Sequence, residues 1–96
     1  MRIVAYFDDS AAMMAHRAKH EPAHLAYLKA NQVEILIAGG LRPEPGGKFV
    51  GGLWVMEVES FERADELVKF DPYYAPELRS YKLLVWGKAQ DGDVIL

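Results

Sequence analysis

Three histidines, His16, His20 and His24, recur at intervals of four in the first third of the chain. Imidazole exchanges its proton near neutral pH, so such a series invites either metal binding or acid–base chemistry. At 3.6 residues per turn a spacing of four drifts by about 40° per step, which keeps neighbouring rings on one helical face. Two such rings can chelate zinc. Here Pro22 falls inside the interval and no acid of the HExxH kind accompanies the pair, so no metal site is expected. His16 and His20 stand among Arg17, Lys19 and Glu21, the surroundings of a solvated helix face. His24 differs, because it adjoins Leu25 in the most regular helical segment. An imidazole at the border of a core requires a partner for one ring nitrogen. A carboxylate in that role fixes the tautomer and leaves the other nitrogen free to take a proton. Asp71 is the candidate carboxylate. It precedes Pro72, the pattern of a helix N-cap, so capping is its first expected role, and the two roles are compatible.

Several residues are candidates for holding a substrate beside this pair. Arg17 and His20 lie on the same helical stretch, and Arg17 offers positive charge to an anionic or enolate-like group. Gly39 and Gly40 leave room near a strand backbone, or else mark a simple bend. Tyr73 can donate a hydrogen bond at a pocket rim, although an aromatic in a turn often serves packing alone. Other chemistries lack their residues. The chain has no cysteine, which removes thiolate nucleophiles, disulfides and cysteine-ligated metal centres. It has no GxSxG elbow, no GxGxxG after a strand and no P-loop lysine, so neither hydrolysis of that type nor a nicotinamide or flavin cofactor is expected.

The elements that must position these residues follow from patterning. A chain of 96 residues, 51% of them apolar, buries roughly 65% of its surface on folding as one domain. With 11 basic and 14 acidic residues and a net charge of -3, it has no basic run for a nucleic acid. Neither a signal peptide nor a span of 18 apolar residues occurs, so a cytoplasmic location and no membrane partner are expected. Residues 2–7 read as a strand that breaks at Asp8-Asp9-Ser10, with Ser10 or Asp9 capping a helix. Pro22 is expected to break that helix near Glu21 or to start a new one. Residues 33–38 form a buried strand that Gly39-Gly40 ends or bends, and residues 41–47 a turn-rich loop. Residues 49–58 alternate, with Leu53, Val55 and Glu57 on one face and Trp54, Met56 and Val58 on the other. A helix opening at Ser60 stops at Asp71-Pro72, and residues 78–86 form the last strand before a polar tail ending in Val94-Ile95-Leu96.

This β-α-β-β-α-β order is that of an α+β ferredoxin-like sandwich, a four-stranded antiparallel sheet with two helices on one face. The second face, expected to carry Trp54, Met56 and Leu84 or Trp86, is too apolar for a monomer. A homodimer formed through the sheet face, with a cavity between the two sheets, is expected.

The segments His24-Leu25-Ala26-Tyr27-Leu28, Ile37-Ala38-Gly39-Gly40-Leu41, Gly51-Gly52-Leu53-Trp54-Val55 and Phe70-Asp71-Pro72-Tyr73 together resemble the YciI-like, or YCII-related, proteins. The order of these segments is the family's, and they cover nearly the whole chain. One departure is Gly40, where many relatives carry proline. The resemblance implies a dimeric ferredoxin-like α+β barrel in which the residues matching His24 and Asp71 form a catalytic pair. Proteins sharing the barrel include muconolactone isomerases and small cofactor-free monooxygenases, and one branch removes hydrogen chloride from chlorinated hydroxyquinols. The functional expectation is a cofactor-free enzyme of lyase or isomerase type acting by proton transfer on a small cyclic or aromatic molecule. The alternative is a non-catalytic metabolite-binding or structural dimeric module.

Overall fold

The structure, a computed structural model, describes residues 1–92. The ending Val94-Ile95-Leu96 lies outside the described residues. Six elements follow in the order β1 (Arg2–Asp9), α1 (Met13–Ala30), β2 (Ile35–Leu41), β3 (Gly51–Glu57), α2 (Phe61–Phe70) and β4 (Arg79–Val85). The strands form one sheet in the order β2-β3-β1-β4, with every pair antiparallel. This is the ferredoxin-like arrangement expected from the element order. No helix among the described residues is long and apolar enough to cross a membrane.

Residues directly opposite one another in an antiparallel pair share a face of the sheet. Ile3 stands between Met56 and Val85, Ala5 between Trp54 and Leu83, and Phe7 between Gly52 and Tyr81. Ile3, Ala5, Phe7, Trp54 and Met56 pack with Ala64, Leu67 and Val68 of α2, and Tyr27 and Leu28 of α1 close over them. The alternation read from residues 49–58 is therefore correct, but its faces are reversed. Trp54 and Met56, expected on the open face, lie under the helices and are 2% and 0% exposed. The open face is built instead from Val4, Tyr6, Ile37, Leu53, Val55 and Leu84. Of these, Tyr6, Ile37 and Leu84 are exposed. Period-two patterning separates two sets of residues; it does not say which set the helices cover when both are apolar.

Helix α1 runs unbroken through Pro22, contrary to the expected break. Proline removes one N–H and so frees the carbonyl of Ala18. Ala18 and Pro22 are both exposed, so water can take that carbonyl. Neither Asp9 nor Ser10 caps α1; the N-cap position is Ala12, without a side-chain hydrogen bond. Asp9 instead extends β1 past the expected break and pairs with Arg79 of β4. Similarly, β2 continues through Gly39-Gly40 to Leu41, paired with Gly51.

Helix α2 begins where the sequence places it. The Ser60 side chain accepts a hydrogen bond of 3.0 Å from the Arg63 backbone N–H, satisfying one of the unpaired donors of the first turn. Ser60→Ala is expected to destabilise the protein by about 1 kcal/mol, measured by urea unfolding.

Candidate functional site

Two buried carboxylates organise the region where α1 crosses the ends of β1, β3 and β4. The first is Asp71, at the C-terminal cap of α2. Its Oδ1 accepts the Tyr73 backbone N–H at 3.2 Å, which shapes the turn after the helix. The same oxygen lies 2.6 Å from Nδ1 of His24 on α1. An oxygen already accepting from one N–H is an acceptor towards the ring too, which in a neutral ring puts the proton on Nδ1 and leaves the lone pair on Nε2. Tyr73 stacks flat on the His24 ring, with centroids 3.7 Å apart and planes 6° from parallel. The imidazole is thus held in its plane by a carboxylate and across its face by a phenol ring.

The second carboxylate is Asp9, whose side chain is 1% exposed. Arg79 donates to it from Nε at 2.6 Å and from Nη2 at 3.2 Å. Arg17 donates from Nε at 3.2 Å and from Nη2 at 3.0 Å, and also reaches the Gly51 carbonyl at 2.8 Å. Burial alone would raise the Asp9 pKa, but the hydrogen bonds and charge of Arg79, then those of Arg17, outweigh it and hold it below its ordinary value. The Arg17 guanidinium lies 4.5 Å from the centre of the Phe49 ring, and Arg42 lies 4.3 Å from the same ring. Both cations therefore interact with the π face of Phe49.

Between these two centres opens a cleft of about 400 Å³, bounded by α1 on one side and by β2 and β3 on the other. His24, Arg17, Arg79, Trp54, Tyr73 and Phe49 contribute to its lining. The cleft lies within one chain on the helix-covered side of the sheet, and Trp54, expected on the open face, forms part of its wall.

The expected site residues fall into three groups. His24 and Asp71 meet, and Arg17 reaches the same cleft. Gly39 and Gly40 also line it, but the space above Gly40 is filled by Phe49, whose ring a methyl group there would overlap. Tyr73 lines the cleft as the platform beneath His24. His20 does not line it. The 40° drift per step rolls His20 and His16 away from the cleft, where their rings face each other at 4.3 Å. His16 Nε2 lies 3.1 Å from the Pro72 carbonyl. Among the described residues no three metal-ligating side chains converge.

Sequence reading missed Asp9, Arg79 and Phe49 as site residues. An aspartate ending one strand opposite an arginine beginning another is a recognisable signal only once the register is known. Tyr27 packs against the core, and its hydroxyl donates to the Leu67 carbonyl at 2.6 Å. Burial, then the charge of Asp71, pushes its pKa up to about 12.

Gly40→Ala is expected to displace the Phe49 ring, at a cost of about 1–3 kcal/mol for the overpacking. Urea unfolding measures the cost. Acrylamide quenching of Trp54, in a background where Trp86 is replaced by Phe, is expected to increase as the wall opens.

The family model described as the YCII-related domain matches residues 1–87. No curated protein matches the chain significantly. Among solved structures, the chain is similar to 5-chloro-2-hydroxyhydroquinone dehydrochlorinase (TftG) from Burkholderia phenoliruptrix AC1100, in complex with 2,5-dihydroxybenzoquinone. The two superpose with a TM-score of 0.78 at 25% sequence identity, covering 91% of this chain and 94% of the other.

Proposed function

The chain belongs to the YCII-related domain family, and from that premise we propose that it is an acid–base enzyme of lyase or isomerase type acting on a small cyclic or aromatic molecule. The observation that carries this reading is the buried His24–Asp71 pair, 2.6 Å apart, with the His24 ring opening onto the cleft. Similarity to TftG supports the substrate class, since that protein is named for a chlorinated hydroxyhydroquinone and was solved with a dihydroxybenzoquinone.

The reaction begins when Nε2 of His24 takes a proton from a substrate O–H or C–H group. The imidazole becomes imidazolium, and the Asp71 carboxylate at Nδ1 stabilises the new charge without itself being protonated. The electron pair left on the substrate is delocalised onto a ring oxygen, where Arg17 meets the developing negative charge. In a lyase the pair then expels a leaving group; in an isomerase His24 returns the proton to a different carbon. Positioning of one base contributes roughly 10²–10⁴-fold to such a rate.

Incubation with hydroxylated quinols and related phenols, followed by both mass spectrometry and thermal melting, tests the proposal. A change in mass that depends on the protein is expected. Ligand-dependent stabilisation with no product would indicate a binding module instead.

Homodimerisation belongs to the same proposal. Two copies pack through the open sheet face, covering the apolar side chains around Ile37 and Leu84. Sedimentation equilibrium is expected to give twice the chain mass, and Ile37→Lys combined with Leu84→Lys to give monomers. A monomeric parent protein would contradict this.

A further inference from the structure

Neither buried carboxylate lines the cleft. Asp9 stands behind Arg17 and Arg79, and Asp71 stands behind His24. The titratable groups that do face the cleft are two guanidinium ions, one imidazole, the neutral Tyr73 phenol and the exposed Glu21 at the rim, where water screens its charge. Each guanidinium commits Nε and Nη2 to protein acceptors, and neither Nη1 has a hydrogen-bond partner among the described residues. Both side chains are largely buried, at 11% and 5% exposure. One carboxylate shared by two guanidiniums leaves a net positive charge. A positive charge in partly desolvated surroundings favours an anion far more than the same charge in open water.

We propose that the Arg17–Arg79 corner is an anion-binding subsite that selects ring compounds carrying an ionised oxygen, a carboxylate or a phenolate, over their neutral counterparts. Arg79 is the specificity-determining partner that the sequence did not reveal. The geometry suits the task, because Asp9 holds the two guanidiniums side by side and packing fixes their planes. Arg79 lies 4.5 Å from the Phe7 ring centre, as Arg17 does from that of Phe49. A fixed pair of donors loses little freedom on binding and so discriminates strongly. The inference deepens the proposed reaction by naming the ionisation state of its substrate, and it rests on the same cleft being the reaction site.

Titration calorimetry with benzoate and with benzyl alcohol tests the subsite, since these probes share a ring and differ in charge. Benzoate is expected to bind roughly tenfold or more tightly than benzyl alcohol. Raising KCl from roughly 50 to roughly 500 mM is expected to weaken benzoate and leave benzyl alcohol unaffected. Arg79→Gln is expected to abolish the preference and Arg79→Lys to weaken it, because one ammonium cannot hold Asp9 and also present a separate donor to the cleft. Equal binding of the two probes by the parent protein would overturn the proposal, as would an undiminished preference in folded Arg79→Gln. His24→Gln separates this from the catalytic reading: it is expected to lose turnover and keep the preference for benzoate. Equal probe binding alongside His24-dependent turnover would refute the subsite alone.

Discussion

Replacement of His24 by glutamine is expected to lower turnover by roughly 10²–10⁴-fold, because it removes the base that Asp71 orients beside the cleft. Asp71→Asn is expected to be nearly as damaging for a different reason. Its amide oxygen can still accept from both the Tyr73 N–H and Nδ1, as Oδ1 does in the parent, but it brings no negative charge to the ring. The imidazolium formed when Nε2 takes the substrate proton then lacks its counter-charge, so the base is weakened. Nothing large is removed from the core in either variant, so melting temperatures are expected to stay close to that of the parent. The comparison of kcat with thermal melting is decisive. Undiminished activity in both folded variants would discard the mechanism, and a collapse of stability in both would reduce the pair to a tie between two helices.

The largest stability effect is expected at Asp9. Asp9→Ala leaves two buried guanidiniums facing each other with no counter-ion, a change that typically costs about 3–5 kcal/mol. For a domain of this size that corresponds to a fall in Tm of at least ~12 °C, measured by calorimetry. The effect should also depend on pH. The Asp9 carboxyl is held below its ordinary value of 3.8 by Arg79 and Arg17, whose hydrogen bonds and charges outweigh the opposing effect of burial. Its stabilisation is therefore complete above the unfolded-chain value and is lost as pH falls through the lower, folded value. The gap in stability between the parent and Asp9→Asn is expected to be full at neutral pH and to shrink below about pH 3.8. A gap that persists unchanged in strong acid would show that the carboxylate charge is not its source.

Most of the frame was legible because local signals agreed with one another. Ser60 marked the start of α2, Asp71-Pro72 marked its end, and the order of elements specified the ferredoxin-like sheet. Errors arose where long-range packing overrides local preference. Pro22 normally ends a helix, yet the burial of Met13, Arg17 and His24 along one side of α1 keeps the helix whole around it. Trp54 and Leu53 alternate identically in either orientation, so only the tertiary structure shows that Trp54 faces the helices. Within the site, His24 and Asp71 could be paired because each bore its own signal, a histidine at a core border and an aspartate closing a helix. Asp9 and Arg79 could not. They lie 70 positions apart, and each looks like an ordinary polar residue at a strand end until β1 and β4 are placed side by side. Phe49 was hidden in the same way, since its role depends on the bare backbone of Gly40 beneath its ring.

The ring protonation of His24 can be observed directly by nitrogen NMR of the labelled imidazole. At a pH where the side chain is neutral, the expected spectrum has a protonated Nδ1 and an unprotonated Nε2. A neutral ring carrying its proton on Nε2 in the parent protein would leave the cleft without its base.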